Sequence, residues 1–157
     1  LEINPSDAPA LANRGLCFHA LRKFELAIED FDRAIALDAM DPNYFNLRGA
    51  AYRQLGKIEE AILDYDRAIG LKPDYPQAFN NRGNAYAAMG DNARSLQDYD
   101  QAIKLAPNYA SAYLNRGGAN ETLGNKDAAI RDYRAALRLD PNLGPAREGL
   151  ARLGVRA

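Results

Sequence analysis

Four arginines and four aspartates of this chain stand in a fixed relation, each Arg sixteen residues ahead of its Asp: Arg14 and Asp30, Arg48 and Asp64, Arg82 and Asp98, Arg116 and Asp132. A guanidinium presents a rigid fork of donors that suits a carboxylate. The eight groups can therefore clamp one another or form a charged ladder for a partner. Fourfold repetition favours the clamp, because catalysis needs one unique constellation. The single histidine, His19, lies two residues from the single cysteine, Cys17, and side chains two apart on a helix diverge. Ser6, Ser95 and Ser111 stand in no strained turn motif, and the isolated glycines form no phosphate-binding loop. No Cys/His cluster offers a metal site. These residues point to no enzymatic activity, no cofactor and no metal. Cys17 reads as a small buried filler, since the same place in later repeats holds Ala51, Ala85 and Ala119.

The elements that position these groups repeat with a period of thirty-four residues. Arg-Gly recurs at 14–15, 48–49, 82–83 and 116–117, and an aromatic follows each Asp: Phe31, Tyr65, Tyr99 and Tyr133. Ala34, Ala68, Ala102 and Ala136 keep the same phase. A fixed period of this length marks stacked supersecondary units, none of which buries its apolar face alone. In the second unit Phe45, Gly49 and Tyr52 fall on one face of a first helix, and Ala61, Tyr65, Ala68 and Leu71 on one face of a second. Gly56 ends the first and Pro73 stops the second.

Helices are expected close to 8–20, 24–37, 42–55, 58–71, 76–89, 92–105, 110–123, 126–139 and 144–153. A mid-helix glycine costs about 1 kcal/mol relative to Ala, so Gly15, Gly49, Gly83 and Gly117 require a packing reason. Close approach at the small residues Ala27, Ala61, Ser95 and Ala129 of the paired helix supplies one. It also brings each Arg beside its Asp, as structural pairs.

Four full repeats run 8–41, 42–75, 76–109 and 110–143. Residues 1–7 read as the remnant of a preceding second helix, and 144–157 as a capping helix and tail. The N-terminal edge is accordingly expected to be cut and the C-terminal edge natural. A cut edge would leave Leu11 and Phe18 exposed, giving end-to-end packing at high concentration and a monomer on dilution. Twenty basic against twenty-one acidic residues advertise no polyanion partner. No apolar run approaches the roughly 18 residues of a membrane span. A soluble helical scaffold with no membrane insertion is expected, and nothing names its compartment.

The pattern resembles the tetratricopeptide repeat family. The match is carried by Leu11, Phe45, Phe79 and Tyr113 at the fourth repeat position, glycine at the eighth and Phe18, Tyr52 and Tyr86 at the eleventh. A small residue at the twentieth, an aromatic at the twenty-fourth, Ala at the twenty-seventh and Pro at the thirty-second complete it. Arg22 departs at the turn glycine, Ala39 at the closing Pro, Ser95 at the twentieth-position Ala and Asn120 at the eleventh-position aromatic. Asn120, after Gly117-Gly118, suggests a looser first helix in the last repeat. The resemblance implies an all-α, right-handed α-solenoid of four helix-turn-helix repeats plus the capping helix.

It also implies that positions 2, 5, 6, 9, 12 and 13 of the first helices line a concave groove. Asn13, Asn43, Asn46, Arg53, Gln77, Asn80, Asn81, Asn84 and Asn115 are the candidate peptide-binding residues there. Asn both donates and accepts, so it can bond an extended peptide backbone whatever its side chains. Asn13, Asn81 and Asn115, at the sixth position, resemble the asparagine ladder of the repeat domain of O-GlcNAc transferase, with Leu47 interrupting it. Members that clamp a terminal carboxylate use cations absent here: Asn80, Pro145 and Gly149 stand in those places. Arg53 is the one Lys or Arg among the groove positions, which argues against RNA. The implied function is a protein–protein interaction scaffold for an extended segment of unknown identity. The alternative is the substrate-docking repeat domain of a larger enzyme.

Overall fold

The computed structural model describes residues 7–156, and the expected remnant at 1–7 lies outside them apart from Asp7. Among the described residues there are nine α-helices and no strand: α1 (Ala8–Ala20), α2 (Phe24–Leu37), α3 (Pro42–Gln54), α4 (Ile58–Leu71), α5 (Pro76–Ala88), α6 (Asn92–Leu105), α7 (Ala110–Thr122), α8 (Lys126–Leu139) and α9 (Gly144–Arg152). Every boundary falls within one residue of expectation. Aspartates fix several starts: the side chains of Asp7, Asp41 and Asp91 accept from the backbone N–H of Ala10, Asn43 and Arg94 at 2.8–3.0 Å. Gly56, Gly90 and Gly124 end first helices at φ of 75°, 80° and 77°. Arg22 takes the same left-handed place at φ 59° without the freedom of glycine.

The chain forms two compact units, Leu1–Asn81 and Arg82–Ala157, divided within α5. In the first, α1 packs on α2, α2 on α3 and α3 on α4. Its core joins Leu11, Ala27, Phe31, Ala34, Tyr44 and Ala51. A second cluster gathers Phe45, Ala68, Tyr75 and Ala78. In the second unit α7 packs on α6, α8 and α9, and α8 also packs on α9. The core there joins Ala129, Tyr133, Ala136, Ala146 and Leu150.

The repeated glycines sit under aromatic rings. A Cβ on Gly15, Gly49, Gly83 or Gly117 would lie 2.7–2.9 Å from the ring of Phe31, Tyr65, Tyr99 or Tyr133. The ring at the twenty-fourth position makes the closest approach, not the small residue at the twentieth. Ala61 and Ser95 contribute only their carbonyl oxygens, at 3.1 and 3.2 Å. The small residue has a separate role, since Ala27, Ala61, Ser95 and Ala129 are all fully buried.

Every repeated Arg grips its Asp through two hydrogen bonds of 2.5–3.0 Å. Arg48 and Arg116 extend a third nitrogen to Asp32 and Asp100 of the preceding repeat, each at 2.6 Å. Burial raises the Asp64 carboxyl against the pull of Arg48. The hydrogen bonds that Arg48 donates to Asp64 raise the Arg48 guanidinium against burial. The guanidinium stays charged wherever the protein folds, and this fork is what makes a buried carboxylate tolerable.

Three expectations are corrected. Cys17 is exposed: Ala51 joins the core shared with α1 and α2, whereas no described element packs before α1. Leu11 is buried at 1% exposure, because α2 covers it. Asn120 does not loosen α7. It is buried, donates to Asp132 Oδ2 at 3.2 Å and accepts from Asn125 at 3.3 Å.

Candidate binding groove

First helices carry the polar residues expected from the sequence to line a groove, and each unit has an open cavity bounded by some of them. In the first unit a cavity of about 410 Å³ is bounded by Pro9, Ala12, Asn13 and Leu16 of α1, Asn43, Tyr44 and Leu47 of α3, and Asp41 and Tyr75. Asn13 and Asn43 are exposed. A relay of side chains fixes the amides behind them. Asn81 Nδ2 donates to Asn46 Oδ1 at 3.0 Å, Asn46 Nδ2 donates to Tyr75 Oη at 3.3 Å, and Tyr75 donates to Asn43 Oδ1 at 2.7 Å. Asn43 stays exposed at the cavity, with its Oδ1 taken by Tyr75. Asn46 is buried and serves as an internal strut, as does the amide nitrogen of Asn81.

In the second unit a cavity of about 460 Å³ has α7 as one wall, through Leu114, Asn115, Gly118 and Thr122. Pro145, Glu148 and Arg152 of α9 form another, and the floor includes Tyr99 and Tyr133. Both hydroxyls are held from within. Tyr99 donates to Asn84 Oδ1 at 2.8 Å. Tyr133 donates to Glu121 Oε2 at 2.5 Å, and Arg152 forks the same carboxylate at 2.9 and 3.0 Å. Hydrogen bonds from Arg152 first, and from Tyr133 after burial, hold the Glu121 carboxyl below the ordinary glutamate range. Burial, reinforced by Glu121, pushes the Tyr133 hydroxyl up to about 12.

The remaining candidates divide by burial. Asn80 is buried, Gln77 is exposed outside both cavities, and Arg53 is half-buried. Sequence reasoning counted the twenty-fourth-position aromatics as core alone and missed that two of them, Tyr99 and Tyr133, also line a cavity. The signal was present: Tyr at three of the four places, against one Phe.

Both cavities are open; amides line each, and the second also carries Glu148 and Arg152 on its α9 wall. Among the described residues no helix is long and apolar enough to cross a membrane.

The tetratricopeptide repeat model matches residues 8–41 and 80–143, and a TPR repeat model matches 49–90. No curated protein matches the chain significantly. Among solved structures, the first TPR of Spaghetti (RPAP3), bound to the HSP90 peptide SRMEEVD, is 30% identical at a TM-score of 0.71, covering 74% of this chain and 93% of that one. MamA is 25% identical at a TM-score of 0.78, covering 88% of this chain and 81% of its own. TTC0263, a thermophilic TPR protein of Thermus thermophilus, shares the fold at a TM-score of 0.85 with 23% identity, covering 94% of this chain and 81% of that one. By its repeats, its nine described helices and these likenesses, the chain belongs to the tetratricopeptide repeat family and has that family's all-α solenoid fold.

Proposed function

We propose that this protein is an interaction scaffold whose first-helix face binds an extended segment of a partner protein. The observation that carries this reading is the pairing of small residues with amides at the cavity walls: the exposed Asn13 and Asn43 beside Ala12 in one cavity, the half-buried Asn115 beside Gly118 in the other. An extended backbone presents an N–H and a C=O at every residue, and an amide side chain answers either one. The Spaghetti TPR bound to an HSP90 peptide supports peptide capture as the use of such a face. This chain lacks the cations of the terminal-carboxylate clamp, so its peptide is a different one.

Peptides of about twelve residues, selected from a random display library against the whole chain, test the reading. Replacing Asn13 and Asn115 together by Ala removes two amide contacts at about 0.5–1.5 kcal/mol each, so affinity falls roughly 5–150-fold while helical content stays unchanged. Normal binding by that variant, with binding lost instead when Leu63 or Arg67 of α4 is replaced, refutes it.

A further inference from the structure

Tyr65, Tyr99 and Tyr133 occupy one place in three successive repeats, yet only two of their hydroxyls are satisfied within the chain. Tyr99 has Asn84 and Tyr133 has Glu121. The Tyr65 hydroxyl has no hydrogen-bond partner although the residue is 0% exposed. The cause is visible in the sequence: Ala50 stands in the place of Asn84, and Arg53 in the place of Glu121. Arg has donors only, and the Nε of Arg53 is itself buried without a partner. Arg53 is half-buried and makes no ion pair among the described residues. Its charge nonetheless reaches its neighbours. Burial and then Arg53 lower the His19 imidazole, whose Nε2 is a further buried atom without a partner. Burial pushes the Tyr65 hydroxyl up to about 12 against the opposing pull of the nearby Arg53.

The second unit contains the completed version of this arrangement. There one carboxylate satisfies a tyrosine and an arginine together: Glu121 Oε2 accepts from Tyr133 and from Arg152 Nη2, and Oε1 accepts from Arg152 Nε. The first unit has the tyrosine and, in the place of the carboxylate itself, an arginine, so it lacks an acceptor for either. We infer that Arg53 and Tyr65 form a receptor for a side-chain carboxylate, an Asp or Glu of the extended segment that docks on the first unit. This rests on the peptide-binding reading above and names the chemistry of its partner. The incoming oxygens accept from Arg53 Nε and Nη and from the Tyr65 hydroxyl, satisfying two orphaned donors at once. A side-chain source fits the depth of the site. The Tyr65 hydroxyl is fully buried, so a carboxylate at the end of a side-chain stem suits it better than one fixed to the main chain. A terminal carboxylate would have to bring its main chain with it.

The test titrates the isotope-labelled full chain with three N-acetylated pentapeptides, followed by NMR. The first is Ac-Ala-Ser-Glu-Ser-Ala-NH2, the second its Gln counterpart, and the third the Gln peptide with a free terminal carboxylate. The Glu peptide should bind about tenfold tighter than the Gln peptide and shift the Arg53 Nε–H resonance. Arg53→Gln should bring the two affinities together, and Tyr65→Phe should narrow the ratio, both with unchanged circular dichroism. The comparison on the unmutated chain stands whether or not either variant folds. Equal affinities, with shifts at Asn13 and Asn43 but none at Arg53, overturn the carboxylate site and leave the groove reading intact. Preference for the free terminal carboxylate overturns the side-chain source. Absence of any shift in the groove with all three peptides overturns both readings.

Discussion

Gly117 lies so close to Tyr133 that a Cβ added to it would stand 2.9 Å from the ring, while its neighbour Gly118 offers a Cβ nothing nearer than the Tyr133 hydroxyl at 3.9 Å. Two adjacent glycines on one helix therefore have opposite reasons for being there. Gly117 admits the aromatic of the paired helix. Gly118 keeps the floor of the groove low.

Gly117→Ala should destabilise the protein. Overpacking costs about 1–3 kcal/mol, which outweighs the roughly 1 kcal/mol gained in helix propensity. Gly118→Ala has the gain without the clash and should raise stability by up to about 1 kcal/mol. Urea denaturation midpoints check both, and the same sign for the two variants would show that the ring contact does not limit packing. Gly83→Ala should follow Gly117, since Tyr99 stands 2.7 Å from its virtual Cβ.

Arg48 separates two kinds of ion pair on one side chain. Its partner Asp64 has a side chain 8% exposed, and its partner Asp32 one 50% exposed. Asp64→Ala strands a half-buried guanidinium and should cost about 2–4 kcal/mol, just below the range for a fully buried pair. Asp32→Ala should cost about 1 kcal/mol or less. Equal losses in chemical denaturation would contradict the assignment of the first pair to the helix–helix contact.

Arg22 holds the left-handed turn that Gly56, Gly90 and Gly124 hold elsewhere. A non-glycine residue there carries a strain of about 1–2 kcal/mol, offset in part by the greater freedom of glycine in the unfolded chain. Arg22→Gly should raise the thermal midpoint, with a gain on the order of 0.5–1 kcal/mol. A lower midpoint would mean that the contact of Arg22 with the Phe24 ring outweighs the strain.

Much of this was legible in sequence because it recurs in phase. Helix boundaries follow from the turn glycines and capping aspartates, and the Arg–Asp forks follow from a spacing repeated four times. What recurs only once was not legible. The relay Asn81–Asn46–Tyr75–Asn43 joins residues 29–35 positions apart, so it forms only when repeats stack. Asn46 and Asn81, alike in sequence to Asn13, are thereby drawn inward. The two environments of Tyr65 and Tyr133 likewise differ through single substitutions, Arg53 against Glu121, that no repeat pattern weighs.

Glu121 gives the fold a pH dependence of known sign. Its folded-state pKa lies below the ordinary glutamate value of about 4.3. Its contribution is therefore complete above that value and is lost as pH falls through the depressed folded pKa. Thermal midpoints of the parent and of Glu121→Gln should differ at neutral pH and converge on acidification. A gap that stays constant below pH of about 4 would show that the Arg152–Glu121–Tyr133 contact does not depend on the carboxylate charge.

The central claim is that the first-helix face receives an extended segment, and chemical-shift mapping with a library-selected peptide tests it most directly. The account predicts saturable backbone and side-chain amide shifts at Asn13, Asn43 and Leu16 in one unit and at Asn115 and Gly118 in the other, with α4, α6 and α8 largely unmoved. Shifts concentrated on the outer residues of those second helices, at Leu63, Gln101 or Arg131, with Asn13 and Asn115 unmoved, would contradict it.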